Sequence, residues 1–518
     1  MTKISEADKA LLAAKGISEE KLNGQLERFR TGFPYLKIDS AAQLGAGITA
    51  MDDELRLACT TRWDKFLADG GDVVKFVPAS GAASRMFKQL FEFVNSEDAL
   101  PQPDSDVDRL LRSIDRAAFA ADLDKALLKL HGADAKALLA AGRHKDVVAA
   151  IVNPEGLNYG NLPKALLKFH RYGDLPARTA LEEQLTEAAE MARGNGPVKV
   201  HFTVSAAHET LFQDKLAEVL PDLEKRLGVK FEVSMSQQKP STDTVAATAA
   251  NEPFRNEKGE LVFRPGGHGA LIENLNDIDA TVVFVKNIDN IAKESQRAES
   301  VPYKHILGGM LLLVRDNAVK LSEALTAALA KGDREDLAKA CKNAADFVAH
   351  ILTTRSADVD EAADDTARAH ALLALLDRPT RVCGMVRNEG EPGGGPYNAY
   401  SSDGRTVAPQ ILESSQIDLT KEENKQMMAQ AGYFNPVDLA CCIKRPDGTA
   451  YHLPDYVDPE TGFISSKSLN GRELRALELP GLWNGAMSNW NTVFVEVPAL
   501  TFTPAKTVND LLRDAHQA

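Results

Sequence analysis

The apolar run Val73–Val77 passes directly into Pro78-Ala79-Ser80-Gly81-Ala82-Ala83-Ser84-Arg85-Met86 and then into Phe87-Lys88-Gln89-Leu90. The first stretch has the length of a buried strand, the last opens a helix, and small residues make the joint between them. Such a joint leaves backbone N–H groups uncrowded at a helix start, which suits a polyphosphate and implies a nucleotide ligand. Two familiar phosphate loops are excluded by the letters. Ala83-Ser84-Arg85 stands where a Walker loop needs Gly-Lys-Ser/Thr, and Gly81 stands alone where a dinucleotide fingerprint needs three spaced glycines. A tight strand–helix joint with no ligand also satisfies this sequence.

Further along, the pattern alternates. A helix is expected over about 177–192, a strand over 198–204, a helix over 209–227, and strands over 230–235 and 280–286. Alternation of this kind predicts a mostly parallel sheet that binds ligands beyond the carboxyl ends of its strands. Helical spacing over 5–33 and 51–67 predicts a helical collar covering 1–70, so that the first strand arrives late. The α/β core then spans 71–290, with a helical insertion at about 88–158. A helical block follows over 291–378, in which Leu307–Val314 reads as a buried helix and Asp358–Asp365 as a solvated acidic face. Over 379–518 strands and turns return, and the Gly-rich stretch 388–398 predicts a loop able to serve as a lid.

With 44% hydrophobic and 26% charged residues over 518 positions, the chain has enough apolar material for a large core. A net charge of −14, with no basic block interleaved with aromatics, argues against a polynucleotide partner. Cys59, Cys341, Cys383, Cys441 and Cys442 lack zinc-site spacing and a disulfide framework, so reduced thiols and a cytoplasmic location are expected. No apolar run is long enough to span a bilayer, and no membrane partner is expected.

Five segments, in order, resemble the sugar-nucleotide pyrophosphorylases. The loop Ala79–Met86 is similar to their small-small-Gly-x-Gly-Thr-Arg-Met/Leu pattern, with Ala83 in place of the second glycine. Pro163-Lys164 resembles the Pro-Lys that follows that loop. Pro265-Gly266-Gly267-His268-Gly269 resembles the Pro-Gly-His-Gly turn of the UDP-sugar enzymes, Asn287-Ile288-Asp289-Asn290 their Asn-x-Asp-Asn, and Phe502-Thr503-Pro504-Ala505-Lys506-Thr507 their C-terminal Phe-x-Pro-x-Lys-Thr. Chains of this layout are identified as members of an uncharacterised bacterial family, domain of unknown function 4301, that resembles those enzymes.

The resemblance implies an α/β fold of the Rossmann-like GT-A nucleotide-diphospho-sugar transferase type, with a mixed, mainly parallel sheet and helical insertions. It implies a nucleotidyltransferase that joins a nucleoside triphosphate, UTP favoured, to a sugar 1-phosphate and releases pyrophosphate. The attacking phosphate is already anionic, so the chemistry needs charge neutralisation and positioning rather than a general base. Arg85, Lys164 and Lys506 are the implied catalytic cations. Gly81, Ala82, Ala83, Ser84, Gly267, His268 and Asn287 are the implied nucleotide contacts, with Gln237 or Gln238, and Gln238 preferred, as the base reader. Asp289 is the implied Mg²⁺ ligand, and Asp438, in Phe434-Asn435-Pro436-Val437-Asp438-Leu439, either a second ligand or a turn residue. His268 between glycines also suits a bond within its own turn. Lys506 sits at the expected start of a helix over 508–516, a poor place for a cation unless an anion sits there.

Two rival readings use the same residues. A GT-A glycosyltransferase normally holds its metal with Asp-x-Asp at a strand end, whereas Asp277-Ile278-Asp279 precedes its strand. A non-catalytic nucleotide-sugar-binding protein is favoured by Ala83, whose methyl group could hold phosphate off the loop, and by the added helices.

Overall fold

The computed structural model describes residues 4–81, 83–390 and 393–517, so the expected loop residue Ala82 and two residues of the Gly-rich stretch lie outside the described residues. Among the described residues a ten-stranded mixed sheet forms the centre of an α/β architecture. Its main strands are β1 (Gly47–Thr49), β2 (Val73–Pro78), β3 (Val198–Thr203), β4 (Phe231–Ser236), β5 (Val282–Lys286), β6 (Thr380–Arg387), β7 (Asp438–Cys442) and β8 (Asn491–Glu496). They lie in the order β1-β8-β6-β7-β5-β2-β3-β4, with Gln43–Leu44 outside β1 and Tyr433–Phe434 beside β6. Of these main strands only β7 runs antiparallel to its neighbours.

That order carries functional information. The chain steps outward from β2 to β3 to β4 and then returns with β5 to the other side of β2. The carboxyl ends of β2 and β5 therefore flank a topological switch point, where connections leaving in opposite directions open a crevice.

Both strands are buried along both faces, which is why they read as continuous apolar runs rather than as alternating ones. Val282 and Phe284 pack under helices α1 (Asp53–Ala68), α4 (Glu294–Lys331), α5 (Arg334–His350) and α6 (Asp365–Leu376). Val283 and Val285 face the opposite layer, with Leu271, Trp483 and Met487. On the α4 side, α2 (Ala180–Met191) covers the switch point, and α3 (Glu209–Leu227) joins β3 to β4. Helices α1 and α4 approach closely at Gly308 and Gly309, where a methyl group would collide with the Trp63 ring and the Cys59 carbonyl.

The expected elements from 177 to 286 match α2, β3, α3, β4 and β5 to within about three residues at each end, a normal scatter for helix and strand boundaries. Three expectations need correction. Residues 1–70 are not wholly helical, because Ile38–Ala41, Gln43–Leu44 and β1 are strands, and β1 joins the central sheet with Ile48 opposite Phe494. Strands of two to four residues are too short to show periodicity. The Gly-rich stretch is not loop throughout, since Gly395–Tyr400 pairs with Thr406–Leu412. The helix expected over 508–516 is a short 3₁₀ turn, Val508–Leu512.

The cysteines are all free and buried, and among the described residues no helix is long and apolar enough to cross a membrane. The acidic stretch is solvated as expected, Asp358 pairing with Arg405 and Asp364 capping α6.

His201 on β3 is buried against Phe76, with ring centroids 5.4 Å apart, and each ring nitrogen lies 2.8 Å from a serine hydroxyl, Ser234 and Ser236. Burial pushes its pKa down to about 4, with Asp277 opposing weakly. The folded state keeps this ring neutral while the unfolded chain protonates it near 6.5, so stability is full above that pH and falls between about 6.5 and 4. His201→Gln should flatten the fall in stability over that interval, by about 3 kcal/mol at its lower end, as read by urea denaturation at stepped pH. An unchanged pH profile would remove His201 from this role.

Candidate functional site

The loop after β2 and the turn after β5 meet at the switch point, and residues from distant segments fill the space between them. The centre of the arrangement is the Lys164 ammonium. Its Nζ donates to Asp289 Oδ2 at 2.7 Å and to the Ala505 carbonyl at 3.0 Å. Ala505 N–H in turn donates to the Asp289 carbonyl at 3.0 Å, and Thr503 N–H to Asn290 Oδ1 at 3.0 Å. The turn after β5 is thereby tied to the C-terminal segment that presents Lys506. On the other side, Ala83 N–H donates to the Leu162 carbonyl at 3.1 Å, which ties the β2 loop to Pro163-Lys164.

His268 completes the ring of segments. Its imidazole stands edge-on to Trp483 with centroids 3.8 Å apart, and it remains open to solvent at the cleft surface. The crowded surroundings push its pKa down, Asp289 opposes, and Lys506 adds to the fall, so both charges lie within electrostatic reach of the ring. Gln238 Nε2 donates to the Gly267 carbonyl at 3.0 Å. Gln237 instead bonds Glu209 at the surface.

Several expected residues keep their placement. Gly81, Ser84, Arg85 and Lys506 are exposed, and no carboxylate pairs with Arg85 or the Lys506 ammonium among the described residues. Gly267 has φ +66° with open space where a Cβ would stand, so backbone is presented there without a side chain. Asn287 is half-buried at the strand exit, its carbonyl accepting from Gln184 Nε2 at 2.9 Å.

Other placements differ from the sequence reading. Ala83 does not face a phosphate: it is fully buried in the core, and its N–H is occupied by Leu162. Its methyl group therefore does not hold a ligand off the loop. Gly266 and Gly269 serve internal packing, since a Cβ would meet the Thr242 and Pro480 carbonyls, each at 2.5 Å. Asp438 is 2% exposed and pairs with Lys304 inside the sheet–helix interface, so it is not an open ligand beside Asp289. The anion at the turn after Lys506 is the protein's own Asp510, which accepts from the N–H groups of Lys506 at 2.8 Å and Thr507 at 2.7 Å. Among the described residues no group of three metal-ligating side chains forms; Asp289 is the one expected metal carboxylate that lies at the cleft.

Beneath this surface lies a charged layer that the sequence reading missed. Lys75 of β2 and Lys286 of β5 point to the same face, and Glu187 of α2 bridges them, its two carboxylate oxygens each 2.5 Å from one ammonium. Burial would push Glu187 up, but Lys286, Lys75 and Lys304 hold it well below the usual carboxylate range. Burial pushes Lys75 down to about 8, with Glu187 opposing. Gln184, one turn earlier, accepts from Lys75 through its own carbonyl at 2.9 Å, while its side chain donates to the carbonyls of Asn287 and Ile288. Helix α2 thus fixes the turn that carries Asp289. A signal was available: a lysine inside Val73–Val77 and another ending Val282–Lys286 sit in strands too apolar to hold them without buried carboxylates.

Lys75, Lys286 and Lys304 face two carboxylates, Glu187 and Asp438. Burial and the neighbouring Lys286 and Lys75 ammonium groups push Lys304 well below the usual lysine range, so this layer supplies no surplus cation, and the unpaired cations at the site, among the described residues, are Arg85 and Lys506 at the surface. These two exposed cations stand at the switch point of a chain whose net charge is −14.

Residues 5–517 match the family model described as Domain of unknown function (DUF4301). The chain belongs to that family. No curated protein matches it. Among solved structures, it is similar to UDP-glucose pyrophosphorylase from Leishmania major in complex with UDP-glucose, at 13% identity over 99% of this chain and 79% of that one, with a TM-score of 0.43. It is also similar to the uridine diphosphate N-acetylglucosamine pyrophosphorylase from Trypanosoma brucei, at 10% identity over 98% and 79% of the two chains, with a TM-score of 0.47.

Breaking a buried charge pair from one side costs about 3–5 kcal/mol because the partner is left uncompensated. Glu187→Gln should therefore destabilise this family member by about that amount in urea denaturation, whereas Glu218→Gln, the exposed partner of Lys215 on α3, should cost under about 1 kcal/mol. Equal effects would mean that Glu187 does not hold the two strands together.

Proposed function

We propose that the protein is a nucleotidyltransferase that joins a nucleoside triphosphate, UTP favoured, to a sugar 1-phosphate with release of pyrophosphate, on a GT-A-type nucleotide-diphospho-sugar transferase fold. The observation that carries this reading is the junction made by Lys164 with Asp289 and Ala505. It joins three motif segments, separated by 125 and 341 positions in the chain, at the carboxyl ends of strands flanking a switch point. A tight structural joint after β2 would not require that meeting.

In this reading the anionic oxygen of the sugar phosphate attacks the α-phosphorus in line and the bond to the β-phosphate oxygen breaks, leaving pyrophosphate. Arg85 neutralises the leaving phosphates beside the open end of the β2 loop. Lys506 neutralises the transferred phosphoryl. Lys164 positions Asp289. Asp289 supplies one carboxylate, which fits Mg²⁺ if phosphate oxygens and water complete its shell; Asp438, already neutralised by Lys304, does not. Bound there, the metal would add further charge neutralisation.

The base is assigned to the opposite side of the crevice. Gln238 Oε1, Asn274 Oδ1 and Thr203 Oγ1 are buried without a hydrogen-bond partner among the described residues. Asn274 donates to Ser236 Oγ at 2.8 Å, and Ser236 is the register partner of Thr203, so these atoms share a neighbourhood at the strand ends. Orphaned buried acceptors call for a donor from ligand or water, and the N3–H of uracil is such a donor. The glycosyltransferase alternative is disfavoured by Asp277 and Asp279, which precede β5 and pair with Lys239 and Lys444.

With Mg²⁺, UTP and a panel of sugar 1-phosphates, the protein should release pyrophosphate. Lys506→Ala should lower kcat by about a hundredfold or more with a small change in nucleotide affinity, as expected for a group acting mainly in the transition state. Gln238→Leu should weaken UTP binding by roughly tenfold or more while leaving binding of inorganic pyrophosphate intact. Binding of nucleotide sugars without turnover across the panel would instead support the non-catalytic reading.

A further inference from the structure

A second concave site lies at the opposite edge of the sheet from the crevice. Cys442 ends β7 opposite Val282 at the start of β5, whereas Asp438 lies opposite Lys286 at its end. Beside Cys442, helices α4 and α6 and the turn over 443–451 enclose a cavity of about 870 Å³. Its walls are small or apolar where α4 and α6 face each other, including Val319, Ala327 and Leu373. At one strand's length, roughly 13 Å, from the Asp289 end, it is not part of the nucleotide crevice.

Four cations line this cavity, and two of them are matched. Arg445 pairs with Asp377 at 2.9 Å and lies over the Tyr451 ring, and Lys444 pairs with Asp279. Arg315 and Arg378 form no ion pair, and Arg315 Nε is buried without a hydrogen-bond acceptor, among the described residues, although the carboxylates of Glu323, Asp377 and Asp447 also line the cavity. A guanidinium held half-buried against an apolar wall without an acceptor is costly unless something supplies one. An apolar cavity of this size with a few convergent polar groups has the character of a small-molecule site.

We propose that this cavity binds an amphipathic anion, a single carboxylate or sulfonate carried on an apolar chain or ring system. The anionic group pairs with Arg315 and Arg378, and the apolar body lies between α4 and α6 against Val319, Ala327 and Leu373. A neutral molecule of the same shape leaves both guanidinium groups unmatched, and a compact polyanion leaves the apolar walls wet. The site differs from the nucleotide crevice in both charge requirement and position, so its occupancy is independent of the nucleotidyltransferase reading.

The test uses the full chain and anilinonaphthalene sulfonate, whose fluorescence rises on entering an apolar site. Saturable binding should weaken tenfold or more in Arg315→Gln and be lost in Ala327→Trp, which fills the wall, with near-UV circular dichroism confirming that the variants are folded. Decanoate should displace the probe and decanol at the same concentration should not. UTP should not displace it. If Arg315→Gln fails to fold, Arg378→Gln and Ala327→Trp decide. Unchanged probe affinity in Ala327→Trp, displacement by decanol as effective as by decanoate, or competition by UTP would each overturn the proposal.

Discussion

The bridge that Glu187 makes between Lys75 and Lys286 holds the two strands on which the crevice is built. Neighbouring parallel strands that each project an ammonium to the same buried face repel one another, and neither charge can reach water. A single carboxylate between them turns that repulsion into a three-body clamp, and the surrounding hydrogen bonds determine whether it holds. Its effects spread through α2. Gln184 fixes the carbonyls that precede Asp289, and Glu183 pairs with Arg297 at 2.5 Å, which seats the start of α4. Seven residues along α4, Lys304 reaches Asp438 and so couples β7 to the same layer. A chain of alternating charges therefore runs beneath the crevice from β2 to β7.

Above this layer Arg85 and Lys506 stand exposed with no carboxylate partner among the described residues, so the unpaired positive charge of the site lies at its surface and not in the core. Charges so placed are screened by salt, whereas the buried pairs beneath them are screened much less.

How much of this could be read from sequence depended on the range of each signal. Elements with their own periodicity, α2 and α3 with β3, β4 and β5, were legible because the hydrophobic pattern records which faces are buried. The short motifs at Gly81, Lys164, His268, Asp289 and Lys506 were legible as segments, and the structure brings those segments together. What escaped was whatever a partner decides. Ala83 read as a ligand-facing loop residue, yet burial against the insertion and the Leu162 carbonyl remove it from the surface. Asp438 had the letters of a metal ligand, but Lys304, 134 positions earlier, claims it. Val437, just before it, sits at φ +59°, a strained setting for a β-branched side chain that no local pattern announces. β1 is three residues long and exists because β8 offers an edge.

That last pairing has a consequence for how the protein is made. Ile48 of β1 lies against Phe494 of β8, and Lys164 is anchored on Ala505, so an early strand and the middle of the crevice both wait for the last part of the chain. At translation rates of about 5–20 residues per second, the gap between Ile48 and Phe494 corresponds to roughly 20–90 seconds during which β1 has emerged without its partner. Over that interval β2, β3, β4 and β5 can assemble with α2 into a half-sheet that has its charge clamp but lacks the Ala505 carbonyl on which Lys164 is anchored. The junction that ties Lys164 to Asp289 would then be completed only when residues 491–505 have emerged.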